Sequence, residues 1–152
     1  KRLGEAREVI AESLAETTGG LDEGFAREVE LRILFEGGDL AGATRALARA
    51  RELGGQRTRV ILDIDEARIL VARGQPRRAM ALLGGALEHA RKNGALGQRM
   101  EAETALGEAE LAAGLKSGAR RLAAVEREAA AHGFAHLARE AAELRARPAR
   151  AR

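Results

Sequence analysis

The sequence has no cysteine, tryptophan or tyrosine, and only two of its 152 residues are proline and three are phenylalanine. Without cysteine the chain has no disulfide, no thiolate nucleophile and no zinc–thiolate site, and this composition fits a reducing compartment. No apolar run approaches the ~20 residues that a membrane span requires, and no signal peptide is recognisable. We therefore expect a cytoplasmic protein that does not cross a membrane.

Alanine and arginine dominate what is present, with 34 Ala and 23 Arg against three Lys. Apolar residues make up 45% of the chain and charged residues 32%, proportions typical of a folded protein rather than a disordered one. Alanine and arginine are strong helix formers, whereas the aromatic residues that favour strands are scarce. The composition predicts an all-α fold.

Glycines divide the chain at regular intervals. At three junctions a glycine is followed five residues later by an alanine, at Gly38 and Ala43, Gly74 and Ala79, and Gly114 and Ala119. The successive glycines are 36 and 40 residues apart, a period typical of stacked helical repeats. Such repeats usually form binding surfaces rather than catalytic pockets.

Helical periodicity between these glycines predicts about eight helices. Their expected ranges are 4–18, 22–37, 39–53, 57–73, 76–93, 96–114, 117–132 and 134–146. Asp22, Asp39 and Ser117 are candidate N-caps, and Pro76 suits a first helical turn. We expect residues 1–146 to form one helical-repeat domain, which is a fragment of a longer array, and residues 147–152 to form a flexible basic tail.

The second helix of each pair carries small residues on one stripe, which lets two helix backbones approach closely. The stripe consists of Ala43, Leu47 and Ala50 in the first copy and of Ala79, Leu83 and Ala86 in the second. In the third copy we expect Leu122 and Val125 to take over the buried positions. Ala6, Ile10 and Leu14 repeat the second-helix spacing, so we expect the chain to start midway through a repeat.

These glycine turns and small-residue positions resemble the tetratricopeptide repeat, in a long and degenerate form similar to the solenoid regions of bacterial regulatory proteins. In the third copy Leu106 and Gly107 also match the Leu-Gly pair of that family's first helix. The resemblance implies a right-handed α-solenoid of antiparallel helix pairs. It also implies that the first helices line a concave groove that binds a peptide or helix from another protein. The groove-facing candidates are Glu28, Arg32, Phe35, Asp65, Arg68, Glu101 and Glu108.

The first helices are net acidic and the second helices net basic, which favours a basic or amphipathic ligand in the groove. Phe35 is the expected aromatic anchor for that ligand, although packing within the core is the alternative. A second hypothesis is the binding of nucleic acid or another anionic surface by outward-facing arginines, which lack interleaved aromatic residues for base stacking. These arginines are Arg45, Arg49, Arg77, Arg78, Arg120 and Arg121.

No pattern indicates catalysis, a metal site or a cofactor. Lys116 and Ser117 follow Gly114, but the spacing and the preceding strand of a phosphate-binding loop are absent. His132 and His136 are four residues apart, with the predicted turn at Gly133 between them. We therefore expect a non-enzymatic scaffold that binds a protein partner, and self-assembly through the ends of the solenoid is a further option.

Overall fold

The computed structural model describes residues 2–16, 20–53 and 59–147, and within these residues it contains eight helices and no strand. The helices are α1 (Arg2–Glu16), α2 (Gly20–Glu36), α3 (Leu40–Leu53), α4 (Arg59–Ala72), α5 (Pro76–Lys92), α6 (Leu96–Ala112), α7 (Ser117–Ala131) and α8 (Ala135–Ala146). The predicted all-α fold is confirmed, and the observed helix ends lie within two residues of the predicted ones. Except for Arg147, the predicted basic tail lies outside the described residues.

Glycines end the helices, as the sequence predicts, because the chain reverses through a left-handed residue. At Gly38 the φ angle is +80°, and the N–H of Asp39 donates to the carbonyl of Leu34 at 2.9 Å. This bond satisfies a carbonyl that the end of α2 would otherwise leave unpaired. Four more glycines adopt the same conformation at the ends of α4, α5, α6 and α7, namely Gly74, Gly94, Gly114 and Gly133.

The predicted helix starts are confirmed in part. An Asp39 carboxylate oxygen accepts a hydrogen bond from the N–H of Gly42 at 2.8 Å, which caps α3. Pro76 occupies the first turn of α5, where its missing N–H costs nothing. The other two predicted caps are wrong, because Asp22 lies inside α2 and Ser117 is already the first helical residue of α7.

The helices form two layers that differ in how their members pack. In the first layer α2 contacts α4, α4 contacts α6, and α6 contacts α8. We name α2, α4, α6 and α8 the contiguous layer. Within the described residues, α1, α3, α5 and α7 contact only members of that layer and not one another. We name them the spaced layer. This alternation is the packing of a helical repeat, in which each helix pair contacts only its neighbours.

The core consists of three clusters, each shared by one spaced helix and the two contiguous helices beside it. One cluster joins α2, α3 and α4, the next joins α4, α5 and α6, and the last joins α6, α7 and α8. The predicted small-residue stripes lie inside them, with Ala43, Ala79 and Leu83 each 0% exposed. Leu122 and Val125 occupy the core in the third copy, as expected.

The helices α6 and α7 approach each other closely at the point where Gly107 and Gly118 meet. A Cβ atom added to Gly118 would lie 2.6 Å from the carbonyl oxygen of Gly107 and 2.8 Å from the backbone nitrogen of Leu111. Only a residue without a Cβ allows the backbones to pack at this distance. This contact fixes α7, and with it α8, against the rest of the stack.

Candidate interaction surface

Ionisable side chains from all four helices of the contiguous layer meet on one side of that layer. Within α2 and α4 the contributing residues are three or four positions apart, a spacing that places them on the same helix face. We name the set the acidic cluster, and it consists of Glu28 and Arg32 of α2, Asp65 and Arg68 of α4, Glu101 of α6, and Glu140 of α8.

Arg32 bridges the first two helices of the cluster. Its guanidinium lies 3.2 Å from a Glu28 carboxylate oxygen and 3.4 Å from a carboxylate oxygen of Asp65. The side chain of Asp65 is only 2% exposed, whereas that of Arg32 is 48% exposed. The positive charge therefore lies at the surface above a buried negative charge, and water screens part of their attraction.

Arg68 makes the second bridge, from α4 to α8. Its guanidinium donates a hydrogen bond to a Glu140 carboxylate oxygen at 2.7 Å, across 72 positions of sequence. Glu101 of α6 lies between the two bridges and interacts electrostatically with Arg32, Arg68, Glu140 and His136. Glu101 forms no direct ion pair with another described residue, so its carboxylate receives no full neutralising partner.

Burial is the largest cause of the raised pKa of three of these carboxyl groups. Desolvation raises the pKa of Glu101 above its ordinary value, Arg32 and Arg68 oppose this rise, and Glu140 adds to it. Burial likewise raises the pKa of Asp65 despite the two arginines. The pKa of Glu28 is raised by burial first and then by the negative charges of Asp65 and Glu101, against the attraction of Arg32.

The acidic cluster therefore has too little positive charge for its carboxylates. It contains four carboxyl groups and two guanidinium groups, and the raised pKa values show that the two arginines do not compensate for burial. An additional cation placed beside Glu101 would stabilise the charged forms of its neighbours as well. Chemically, this surface is suited to a positively charged group.

Five of the seven groove candidates named from the sequence belong to the acidic cluster, and two do not. Phe35 is half-buried and packs against the core cluster shared by α2, α3 and α4, so its side chain contributes to that core. Glu108 lies two turns further along α6 than Glu101, and its carboxylate is 3.8 Å from the guanidinium of Arg147.

Sequence reasoning missed Glu140 and the nearby His136, both on α8. The two are four residues apart and therefore share one helix face, which is the signal that could have identified them. The contact of α8 with α6 makes α8 a member of the contiguous layer, and this packing brings Glu140 to Arg68.

Of the six arginines that the sequence suggests for an anionic surface, two are paired with carboxylates within the chain. Arg49 lies 3.3 Å from Glu23, and Arg121 donates to Glu110 at 2.9 Å. Arg78 donates to the side chain of Gln75. The remaining three are exposed and form no ion pair with a described residue, namely Arg45, Arg77 and Arg120.

Neither metal binding nor a membrane span finds support in the described part of the chain. No group of three or more histidine, aspartate or glutamate side chains there is placed to hold a metal ion. His132 follows the end of α7 whereas His136 belongs to α8, so the turn at Gly133 separates them. None of the described helices combines the length and apolar content that a bilayer span requires.

Comparison of the chain with protein-family models, with curated proteins and with solved structures finds no match.

Proposed function

We propose that this chain is a non-enzymatic interaction module, a right-handed solenoid similar to tetratricopeptide repeats, which binds a basic or amphipathic segment of another protein. The contiguous layer is its concave side. Helices that touch one another make their side of a stack shorter than the side on which the helices are separated, and the stack curves towards the shorter side. The ligand lies along this layer and crosses the acidic cluster. The module acts in the cytoplasm as a scaffold or as the regulatory part of a larger bacterial protein.

The observation that supports this proposal is the charge balance of the acidic cluster. Four helices bring four carboxyl groups and two guanidinium groups together, and burial raises the pKa of three of the carboxyls. Charged groups in such surroundings destabilise the free protein, and a cationic ligand relieves that cost. Complementary charge of this kind selects the ligand and accelerates its association.

Within the cluster, Glu101 is the expected contact for a ligand cation. Arg32 and Arg68 are already engaged by Glu28, Asp65 and Glu140, whereas Glu101 has no direct ion pair with a described residue. An arginine or lysine of the ligand can reach it from solvent because Glu101 is partly exposed. The positive charges of Arg32 and Arg68 repel further cations and so limit how many basic residues of the ligand this surface accepts.

The test measures binding of a fluorescein-labelled amphipathic peptide with lysine on its polar face, by fluorescence anisotropy at low and at high salt. Glu101→Arg should weaken binding by about tenfold, since one charge contact is lost and a repulsive one is added. Glu88→Arg is the matched control, because it makes the same charge change on α5, where Glu88 pairs with Lys92 at 2.7 Å in solvent. The control should change the affinity by less than about twofold.

Equal losses in both variants would contradict the proposal, because net charge and not the acidic cluster would then govern binding. A pull-down from a native extract, with Glu101→Arg as the control bait, identifies the natural partner. The alternative from the sequence, nucleic-acid binding by exposed arginines, stays a prediction that the same assay tests with a labelled oligonucleotide. Binding of that oligonucleotide that is lost in Arg77→Glu and unaffected in Glu101→Arg would favour it.

A further inference from the structure

An apolar groove of about 610 Å³ runs between α1 and α2, on the opposite side of α2 from α4 along the stack. Two large apolar side chains beside it lie open to solvent, with Val9 66% exposed and Phe25 67% exposed. The other apolar side chains that line it include Ile10, Val29 and Ile33. Exposed apolar surface of this kind is unusual in a soluble protein and indicates a site of interaction.

The repeat of the chain shows what kind of element fills such a groove. Five residues of α1 line it, namely Glu5, Ala6, Val9, Ile10 and Ser13. The residues 37 positions further along the chain are the five buried residues of α3, namely Gly42, Ala43, Ala46, Leu47 and Ala50. The open surface of α1 is therefore the counterpart of the surface that α3 buries.

A similar equivalence, offset by 36 rather than 37 positions, relates two of the four α2 residues that line the groove, Ala26 and Ile33, to Leu62 and Ile69 of α4. Leu62 and Ile69 belong to the core cluster that buries Leu31 of α2. In that cluster α2 packs onto the α3–α4 pair. The groove on the α1–α2 pair is thus a vacant copy of the site that α2 itself fills one repeat later.

The charges at the rim differ between the two sites. Glu8 and Glu12 of α1 are exposed and form no ion pair with a described residue. At the positions 37 residues further on, α3 carries Arg45 and Arg49, and Arg49 lies 3.3 Å from Glu23 of α2. The filled site thus pairs a basic rim with an acidic helix. The vacant site has an acidic rim and requires a basic helix.

We propose that the α1–α2 groove docks an amphipathic helix of a partner protein that carries arginine or lysine on its polar edge. Its apolar residues follow the spacing of Leu31, Leu34 and Phe35, with which α2 fills the equivalent site. A basic residue lies about two turns before them, at the place of Glu23. This site is separate from the acidic cluster and does not depend on the function proposed for it.

The opposite end of the stack does not offer this helix. The apolar residues of α8 are already buried in the core cluster shared with α6 and α7, as Leu137 and Leu144 are 2% and 5% exposed. Among its exposed residues are Arg139 and Glu143, whose side chains are 75% and 64% exposed. A second copy that docks through α8 would therefore place polar groups in an apolar groove.

The probe is a labelled synthetic peptide with the sequence of residues 20–36 in which Glu23 is replaced by arginine. We expect this peptide to bind the chain and to bind about five- to tenfold more tightly than the unmodified peptide, since Glu12 is the counterpart of Arg49, which pairs with Glu23 in the filled site. The variant Glu12→Arg should reverse that preference, because it restores the charges of the filled site. A charge exchange of this kind changes partner choice without altering the apolar groove.

The groove itself is tested with Val9→Asp, which should weaken binding of the arginine peptide by at least about tenfold, because it places a charge in the apolar contact. Leu115→Asp is the control, since Leu115 is also an exposed apolar residue, at 43%, but lies between α6 and α7. It should leave the affinity unchanged. Circular dichroism of both variants verifies that they remain helical.

Failure of the arginine peptide to bind, or binding that Val9→Asp leaves intact, overturns the proposal. Sedimentation of the chain alone supplies the remaining outcome. A concentration-dependent dimer that Val9→Asp converts to a monomer would assign the groove to a second copy and would also overturn the partner helix.

Discussion

Replacing Gly118 by alanine should destabilise the fold, although the same change stabilises most helices. The added Cβ would lie 2.6 Å from the carbonyl oxygen of Gly107 and 2.8 Å from the backbone nitrogen of Leu111, whereas nonbonded atoms prefer about 3.5–4 Å. Both obstructing atoms belong to the backbone of α6 and cannot rotate away. The two helices must separate, which also disturbs the packing of α8 on α7.

The size of the effect follows from two opposing contributions. Overpacking of a core costs about 1–3 kcal/mol, and here the upper part of that range applies because the two nearest obstructing atoms belong to the backbone. Helix propensity returns at most about 1 kcal/mol, and less in the first turn of α7. The expected net loss is about 2 kcal/mol, or roughly 4–8 °C in the melting temperature of a chain of this length.

The assay is urea unfolding followed by far-ultraviolet circular dichroism, with two glycine variants for comparison. Gly107→Ala should cost less than Gly118→Ala, because its closest contact is the Leu122 side chain, at 2.7 Å, and a side chain can adjust. Gly84→Ala should stabilise the protein by about 0.5–1 kcal/mol, since nothing lies within 4 Å of the added atom in the middle of α5. If Gly118→Ala is as stable as the original chain, the close approach of α6 and α7 is wrong.

Two further predictions concern the groove candidates. Burial raises the pKa of Glu101 in the native protein, so the native carboxyl group binds its proton more tightly than the same group in the unfolded chain. The free energy of unfolding therefore falls as pH rises from the ordinary pKa of a glutamate through the raised pKa of the native protein. Glu101→Gln should therefore raise the free energy of unfolding near neutral pH by less than about 1 kcal/mol. This gain should vanish below the ordinary pKa of a glutamate. Urea unfolding at a series of pH values measures both effects. Phe35→Ala should lower the free energy of unfolding by about 2 kcal/mol, because the ring packs against the first core cluster but is only half-buried. Thermal unfolding checks this, and an unchanged melting temperature together with weaker peptide binding would show that Phe35 is a surface anchor.

The fold could be predicted from sequence because its signals are local. Each described interhelical turn needs a left-handed residue, and the glycines that supply it stand at regular intervals, as at Gly38 and Gly74. The helices of the spaced layer are strongly amphipathic because only one side of each packs on its neighbours. Their buried stripe, for example Ala79 and Leu83, is therefore legible in the sequence.

The contiguous layer is harder to interpret from sequence because its helices are contacted from several sides. The apolar residues of such a helix are distributed around its whole circumference, so the amphipathic pattern is weak in α2 and α6. For this reason the sequence could not decide whether Phe35 faces the groove or the core. The resemblance did identify five members of the acidic cluster, but the pairing of Arg68 with Glu140 spans 72 positions and follows from the packing of α8 against α6.

The two proposed surfaces share a physical origin in the packing of the repeat. Contact between successive helices of the contiguous layer buries carboxylates such as Asp65 beside only two arginines, so free energy is stored as incomplete charge compensation. The α1–α2 pair has no third helix in the described chain, so free energy is stored there as exposed apolar surface at Val9 and Phe25. In both places the unbound protein retains an unfavourable free-energy contribution, because a charge or an apolar surface lacks a partner. A ligand that supplies the missing partner, a cation in one case and a basic amphipathic helix in the other, would recover that energy as affinity.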